Sequence, residues 1–202
     1  MFRDRVVVIA GACCGVGLAA GHRFARAGAQ VVLAGPCDLI REVASEIDAS
    51  GGDAFFRVAD VSNLEDAQAL ARFALDVYGR IDVWINVADR HAQAPHVDSS
   101  QAISRRHWGV VNGSLVALWN MRSAGGTLLN VTTEDPTSAG ACACAQFTRV
   151  LQRGVAEEAL PILVSVVEGH GEPVAVVANT LTERLTEAQT RRADTWRERQ
   201  VA

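Results

Sequence analysis

RVVVIAGACCGVG (Arg5–Gly17) is the stretch from which the rest of this 202-residue chain can be read. Its first half, Arg5–Ala10, is a short, β-branched apolar run of the kind that forms a fully buried strand. The run breaks into Gly11-Ala12-Cys13-Cys14-Gly15-Val16-Gly17, after which Leu18, Ala19, His22, Arg23, Phe24 and Arg26 take up helical spacing until Gly28. Three glycines between a buried strand and a helix have a specific physical use. They allow a tight turn, bring backbone close to a diphosphate, and aim the first free N–H groups of the helix at that anion. The bland competitor is a turn of the same shape that binds nothing.

Working outward, Gln30–Ala34 is a second buried strand, Ala54–Ala59 a third, Ile81–Val87 a fourth and Leu160–Val167 a sixth, with GGTLLNVTT ending at Thr133 as the fifth. Asp38 is the expected N-cap of a helix with Leu39, Val43 and Ile47 on one face. Ser62 and Glu65 form a capping box for the next helix, which turns Leu64, Leu70, Phe73 and Val77 inward and stops at Gly79. The fourth helix, around Trp108–Arg122, reads as short. Strands alternating with single helices predict right-handed βαβ units in an α/β, doubly wound parallel sheet. That makes three layers, α/β/α, in a single domain over residues 1–202. The pattern diverges from about residue 169. Either Val174–Ala178 is a strand and Leu181–Arg199 a helix opened by a Thr180/Glu183 capping box, or Asn179-Thr180-Leu181 begins a substrate lid.

Composition narrows the function. Apolar residues make 49% and charged residues 21% of the chain, an ordinary globular balance. A net charge of −4 and the lack of a basic run argue against nucleic acid or an anionic membrane as partner. The opening apolar run is too short to span a bilayer, and Asp4, the loop glycines and the missing cleavage site speak against a signal peptide, so a cytoplasmic protein is expected. Every permanently cationic side chain is Arg; the sequence has no Lys. The five cysteines, at 13, 14, 37, 142 and 144, show no CxxC or zinc spacing. Reduced thiols and no metal are therefore expected, although Cys13, Cys14 and Cys37 fall on neighbouring loops.

The order AGACCGVG, ADVS, GRIDVWINVAD, GGTLLNVTT closely resembles the short-chain dehydrogenase/reductase family, single-domain Rossmann-fold enzymes that move a hydride between NAD(P) and an alcohol or ketone. The resemblance is dense over residues 5–90, fair over 120–168 and poor beyond. It implies a cofactor site made of Gly11, Cys13, Cys14, Gly15, Val16 and Gly17, with Asp60 on the adenine, Val61 beside it, and Asn86 and Ala88 under the nicotinamide ribose. Val87 and Asp89 depart from the family's Asn-Asn-Ala-Gly element. Gly35, at the end of the second strand, supplies no acid that would favour NAD, and Pro36, Cys13 and Cys14 supply no Arg that would favour NADP, so either dinucleotide is open.

The family's general acid is a Tyr whose pKa is lowered by a Lys one helical turn on. That element aligns with Ala141-Cys-Ala-Cys-Ala145, which puts Ala141 in place of Tyr and Ala145 in place of Lys. The single Tyr is Tyr78, on the third helix. The resemblance leaves Thr133 at the position of the substrate-holding Ser and Asn112 at that of the catalytic Asn. The implied protein keeps the NAD(P) fold of an oxidoreductase and is weak or non-catalytic as a dehydrogenase. Alternatives are an oxidoreductase using other groups, a partner subunit, or a repurposed acid–base enzyme of dehydratase or cyclase type drawing on Asp89, His91, Glu134, Asp135, Glu168 and His170. The family pairs subunits through its fourth and fifth helices, which makes a homodimer or hetero-oligomer plausible.

Overall fold

A computed structural model describes residues 2–13, 15–88, 99–169, 172, 176, 178–181, 183, 185 and 186. Eleven elements are defined in chain order: β1 Val6–Ala10, α1 Gly15–Arg26, β2 Gln30–Gly35, α2 Leu39–Ala49, β3 Asp53–Val58, α3 Leu64–Tyr78, β4 Val83–Ala88, α4 Ser99–Met121, β5 Gly126–Thr132, α5 Ala139–Glu157 and β6 Ile162–Glu168. All pairings are parallel and the strand order is β3-β2-β1-β4-β5-β6. A doubly wound sheet was the expectation, and this is one.

Strand alternation sorts the core into two halves. Val7, Ile9, Val31, Leu33, Val83, Ile85 and Leu129 point to the side covered by α1 and α2. Val8, Val32, Trp84 and Leu128 point to the side covered by α3, α4 and α5. Because β1 is buried on both faces along its whole length, its apolar run carries no polar alternation.

Four local expectations are corrected. Helix α4 is 23 residues long, not short; Ala102, Val110, Val116, Ala117 and Met121 form its buried stripe, which the polar Arg105-Arg106-His107 cluster hides in the sequence. Helix α3 is capped by Asn63, whose side chain accepts from the Glu65 N–H at 2.8 Å, while Ser62 turns back to Asp60. Asp38 precedes α2 with helical backbone angles and makes no side-chain capping bond. Val174, Ala175 and Val177 lie outside the described residues, but Val176 and Ala178 are helical rather than extended, and the described residues from Leu181 to Thr186 are helical as one reading expected. Thr180 is no cap, its hydroxyl donating back to the Val176 carbonyl at 3.1 Å. Leu181 and Leu185 are buried against the α1/α2 half of the core. Trp196 lies outside the described residues.

One buried carboxylate ties β1 to β4. Asp82 accepts from the Val6 N–H at 3.0 Å, from Arg5 at 2.7 Å and from Arg80 at 2.8 and 2.5 Å. Burial pushes its pKa up, but hydrogen bonds from Arg80, Val6 and Arg5 outweigh that and hold the carboxyl below its ordinary value. A carboxylate with a depressed folded-state pKa stabilises above the unfolded value and loses that contribution as pH falls through the folded one. Asp82→Asn is therefore expected to lower stability at pH 7 by about 2 kcal/mol. In denaturant unfolding across pH 2–7, the gap between variant and parent should close only below the ordinary carboxylate range. A gap that stays constant over that whole range would contradict the assignment.

Candidate functional site

The carboxyl ends of β1, β2, β3 and β4 open onto a cavity of about 400 Å³, within the roughly 300–1,000 Å³ of small-ligand sites. It lies where the winding reverses between β1 and β4, the position at which doubly wound sheets bind their ligands. Ala10 and Gly11 come from β1 and its loop, Asn86 and Val87 from β4, and Gly35, Pro36 and Cys37 from the end of β2 and beyond. Ala59, Asp60, Val61 and Ser62 follow β3, and Ala102, Arg105, Arg106, Gly109 and Val110 of α4 complete the lining.

The glycine turn is built by close approach. The N–H groups of Gly11 and Ala12 both donate to the Ala34 carbonyl, at 2.9 and 2.8 Å, which bends the chain over β2. Gly11 has φ +89°, and a Cβ there would stand 2.4 Å from the Val87 oxygen. At Gly17 a Cβ would meet Ala12 Cα at 2.7 Å, so α1 sits directly on its own loop. Helix α1 carries no acidic residue in its first turn, so no carboxylate there competes with an incoming anion for the positive end of the helix. This cradle fits a dinucleotide.

The expected cofactor residues divide into three groups. Gly11, Cys13, Asp60, Val61 and Asn86 line the cavity. Gly15 is exposed at the start of α1, and Val16 and Gly17 are buried by packing. Ala88 packs behind the wall, beside the lining residue Val110 and the buried Cys144, and does not itself line the cavity. Cys14, Asp89, His91 and His170 lie outside the described residues.

The expectation of reduced thiols is corrected at two positions. Cys13 and Cys37 form a disulfide, with Cα atoms 6.0 Å apart, joining the glycine turn to the loop after β2. The sequence placed both residues on neighbouring loops, 24 residues apart, but the absence of CxxC or zinc spacing left them as reduced thiols. Cys142 is exposed, and its thiol donates to the Pro136 carbonyl. Cys144 is buried; burial pushes its thiol up to about 11, helped by Glu134 and Glu168 and opposed by Thr148, so it is protonated at neutral pH and no nucleophile.

Asp60 has both oxygens engaged. One accepts from the Ser62 N–H and hydroxyl, at 3.1 and 2.7 Å, and the other pairs with Arg105. Burial raises its pKa, yet the Arg105 and Ser62 hydrogen bonds prevail and hold it below the ordinary value. Behind it, Arg106 Nε lies 2.8 Å from Glu134 Oε1 without the alignment of a hydrogen bond, so the pair is Coulombic. Glu134 also accepts from Ser138 at 2.7 Å, and Ser138 caps α5. Arg105 and Arg106 escaped the sequence reading. The signal that would have found them is the helical spacing Ala102, Arg105, Gly109 on the cavity side of α4.

The polar groups beneath the site are mostly structural. Asn86 donates to Asn130 at 2.8 Å and to Ser114 at 3.1 Å, and accepts from Trp84 Nε1 at 2.8 Å. A Cβ at Gly113 would stand 2.0 Å from Asn86 Oδ1, which is why α4 can close on β4 there. Asn112 donates to the Val61 and Ser62 carbonyls, at 3.3 and 2.9 Å, and so fixes the loop that carries Asp60. Thr133 is half-buried just past β5. Ala141 is buried and Ala145 half-buried one turn further along α5. Tyr78 is far from all of these in the fold, its hydroxyl donating to Asp53 at 2.6 Å, with its pKa raised by burial and by that carboxylate.

No described helix is long and apolar enough to cross a membrane, and no cluster of three or more His, Cys, Asp or Glu side chains among the described residues could hold a metal ion. Comparison with known proteins adds the lineage. The chain is 34% identical over 137 residues to an uncharacterized oxidoreductase, YxnA, of Bacillus subtilis, covering 64% of this chain and 38% of that protein. It is 32% identical over 136 residues to the 7alpha-hydroxysteroid dehydrogenase of Escherichia coli, covering 64% of this chain and 53% of that one. The matches thus span about a quarter to a half of the length of these and similar curated relatives. Among solved structures, a metagenomic short-chain oxidoreductase in complex with NADP superposes with a TM-score of 0.76 at 20% identity, covering 92% of this chain and 91% of that one. A 7 alpha-hydroxysteroid dehydrogenase complexed with NADH and 7-oxo glycochenodeoxycholic acid gives 0.68 at 25% identity, covering 83% and 70%. The family model described as short chain dehydrogenase matches residues 5–171, and the chain belongs to that family.

Proposed function

We propose that this chain, as a single dinucleotide-binding domain, holds NAD(H) or NADP(H) in the cavity at the carboxyl ends of β1–β4 and is weak or inactive as a dehydrogenase. One observation carries the reading: a close-packed glycine turn faces a ligand-sized cavity at the switch point of the sheet. Beside it, the sequence has no Lys and its one Tyr is Tyr78, and the resemblance aligns Ala141 and Ala145 with the family's Tyr and Lys. Relatives in the fold that carry NADP or NADH in their structures support either form. A bound dinucleotide supplies a hydride donor or acceptor. The chain's own residues supply the rest: the turn and the start of α1 take the diphosphate, Val61 and Asp60 flank the adenine, and Asn112 holds their loop. Thr133 offers a hydroxyl at the substrate end. What is missing is the proton. Tyr78 serves Asp53 and the Cys144 thiol is buried, so neither replaces the lost acid. Such a loss typically slows a reaction by roughly 10²–10⁴.

Trp108, Leu115 and Trp119 of α4 and Val150 of α5 are exposed apolar side chains, which supports a homodimer apposing these helices or a hetero-oligomer with this chain as partner subunit. We place the protein in the cytoplasm. Titration with NADH and NADPH should show saturable binding of at least one. Turnover of a ketone panel should run roughly 10²-fold or more below a relative that keeps Tyr and Lys. Ketone reduction at that relative's full speed, or no saturation by either nucleotide, would overturn the reading.

A further inference from the structure

We propose that the Cys13–Cys37 bridge is the element that reads the adenosine ribose: closed, it favours a free 2′-hydroxyl over a 2′-phosphate, and reduced, it loses that preference. This rests on the dinucleotide reading above. In doubly wound sheets the ribose is met at the end of β2, by an acid for NAD or an Arg for NADP. Here β2 ends at Gly35. A Cβ at that position would stand 2.5 Å from Cys13 Sγ and 3.3 Å from the Cys13 nitrogen. The sulfur therefore occupies the place from which the discriminating side chain would grow, and its bond to Cys37 keeps it from swinging away.

Cys13, Gly35, Pro36 and Cys37 form one wall of the cavity. None of them carries a charge, and a disulfide has no proton to donate. A 2′-phosphate pressed against that wall loses its water without gaining a partner, whereas a neutral hydroxyl loses far less. The cavity's arginines, both on α4, do not rescue it, because Arg105 is paired with Asp60 and Arg106 with Glu134. Reduction changes the wall. A phosphine and water deliver two electrons and two protons, the S–S bond becomes two S–H groups, and the phosphine leaves as its oxide. Cys13 then rotates freely, and the loop after β2 can move aside for the larger nucleotide.

The test is paired titration of NADH and NADPH, read by nicotinamide fluorescence, on oxidised protein, on phosphine-reduced protein and on Cys13→Ser/Cys37→Ser. Counting thiols after denaturation, with and without reduction, establishes the bridge: reduction should release two more. Oxidised protein should bind NADH about tenfold or more tighter than NADPH, with the ratio falling to within about threefold on reduction and in the double variant. Cys142→Ser should keep the oxidised ratio. A ratio unmoved by reduction and by the double variant, or no gain in thiols, sinks the proposal while leaving dinucleotide binding standing. Failure of both nucleotides to bind any form removes the dinucleotide reading itself, and this inference with it.

Discussion

Asn130→Leu is expected to destabilise the protein by about 4 kcal/mol, because it strands two buried donors at a cost of roughly 1–3 kcal/mol each. Asn130 is fully buried on β5. Its carbonyl oxygen accepts from Asn86 at 2.8 Å and from the Ser114 hydroxyl at 3.1 Å, and its amide donates to Thr148, which passes the chain on to the Cys144 carbonyl. Leucine fills nearly the same volume and answers none of these groups. Chemical denaturation should register the loss, and the midpoint of thermal unfolding should fall by about 8–16 °C for a chain of this size. Ser114→Ala alone should cost about 1 kcal/mol, and combining it with Asn130→Leu should give less than the sum, since one stranded donor disappears. Additivity would show that the three side chains do not act as one network.

Gly11→Ala should cost about 3 kcal/mol and abolish nucleotide binding. The left-handed backbone at φ +89° penalises any L side chain by roughly 1–2 kcal/mol. The added carbon would also stand 2.4 Å from the Val87 carbonyl oxygen, so β1's loop and β4 must part. Gly28→Ala is the control. Gly28 shares the left-handed geometry, φ +87°, but its nearest neighbour lies 3.6 Å away. It should lose only the backbone contribution, roughly 1–2 kcal/mol, and bind nucleotide as the parent does. Equal effects at the two positions would mean that the contact with Val87 is soft.

The fold was legible because its signals are local. A run such as Val6–Ala10, buried on both faces, has no polar alternation to confuse it, and glycine breaks mark where each strand turns into a helix. Motifs of the cavity wall were legible for the same reason: Gly11, Asp60 and Val61 sit at strand ends that the pattern locates. What escaped depends on contacts between distant segments. The β1 and β2 loops were read as neighbours, but which of Cys13, Cys14 and Cys37 would bond needed the positions of their sulfurs. The reach of Arg105 to Asp60 needed α4 to lie over β3's exit.

Trp84 offers an optical consequence. It is fully buried, and its indole N–H bonds to Asn86, a residue of the cavity wall, whereas Trp108 and Trp119 lie open to solvent. With Trp108, Trp119 and Trp196 replaced by Phe, Trp84 remains as a single blue-edge emitter one hydrogen bond from the cleft. The protein thus carries its own spectroscopic gauge of whatever enters there, with no dye to attach.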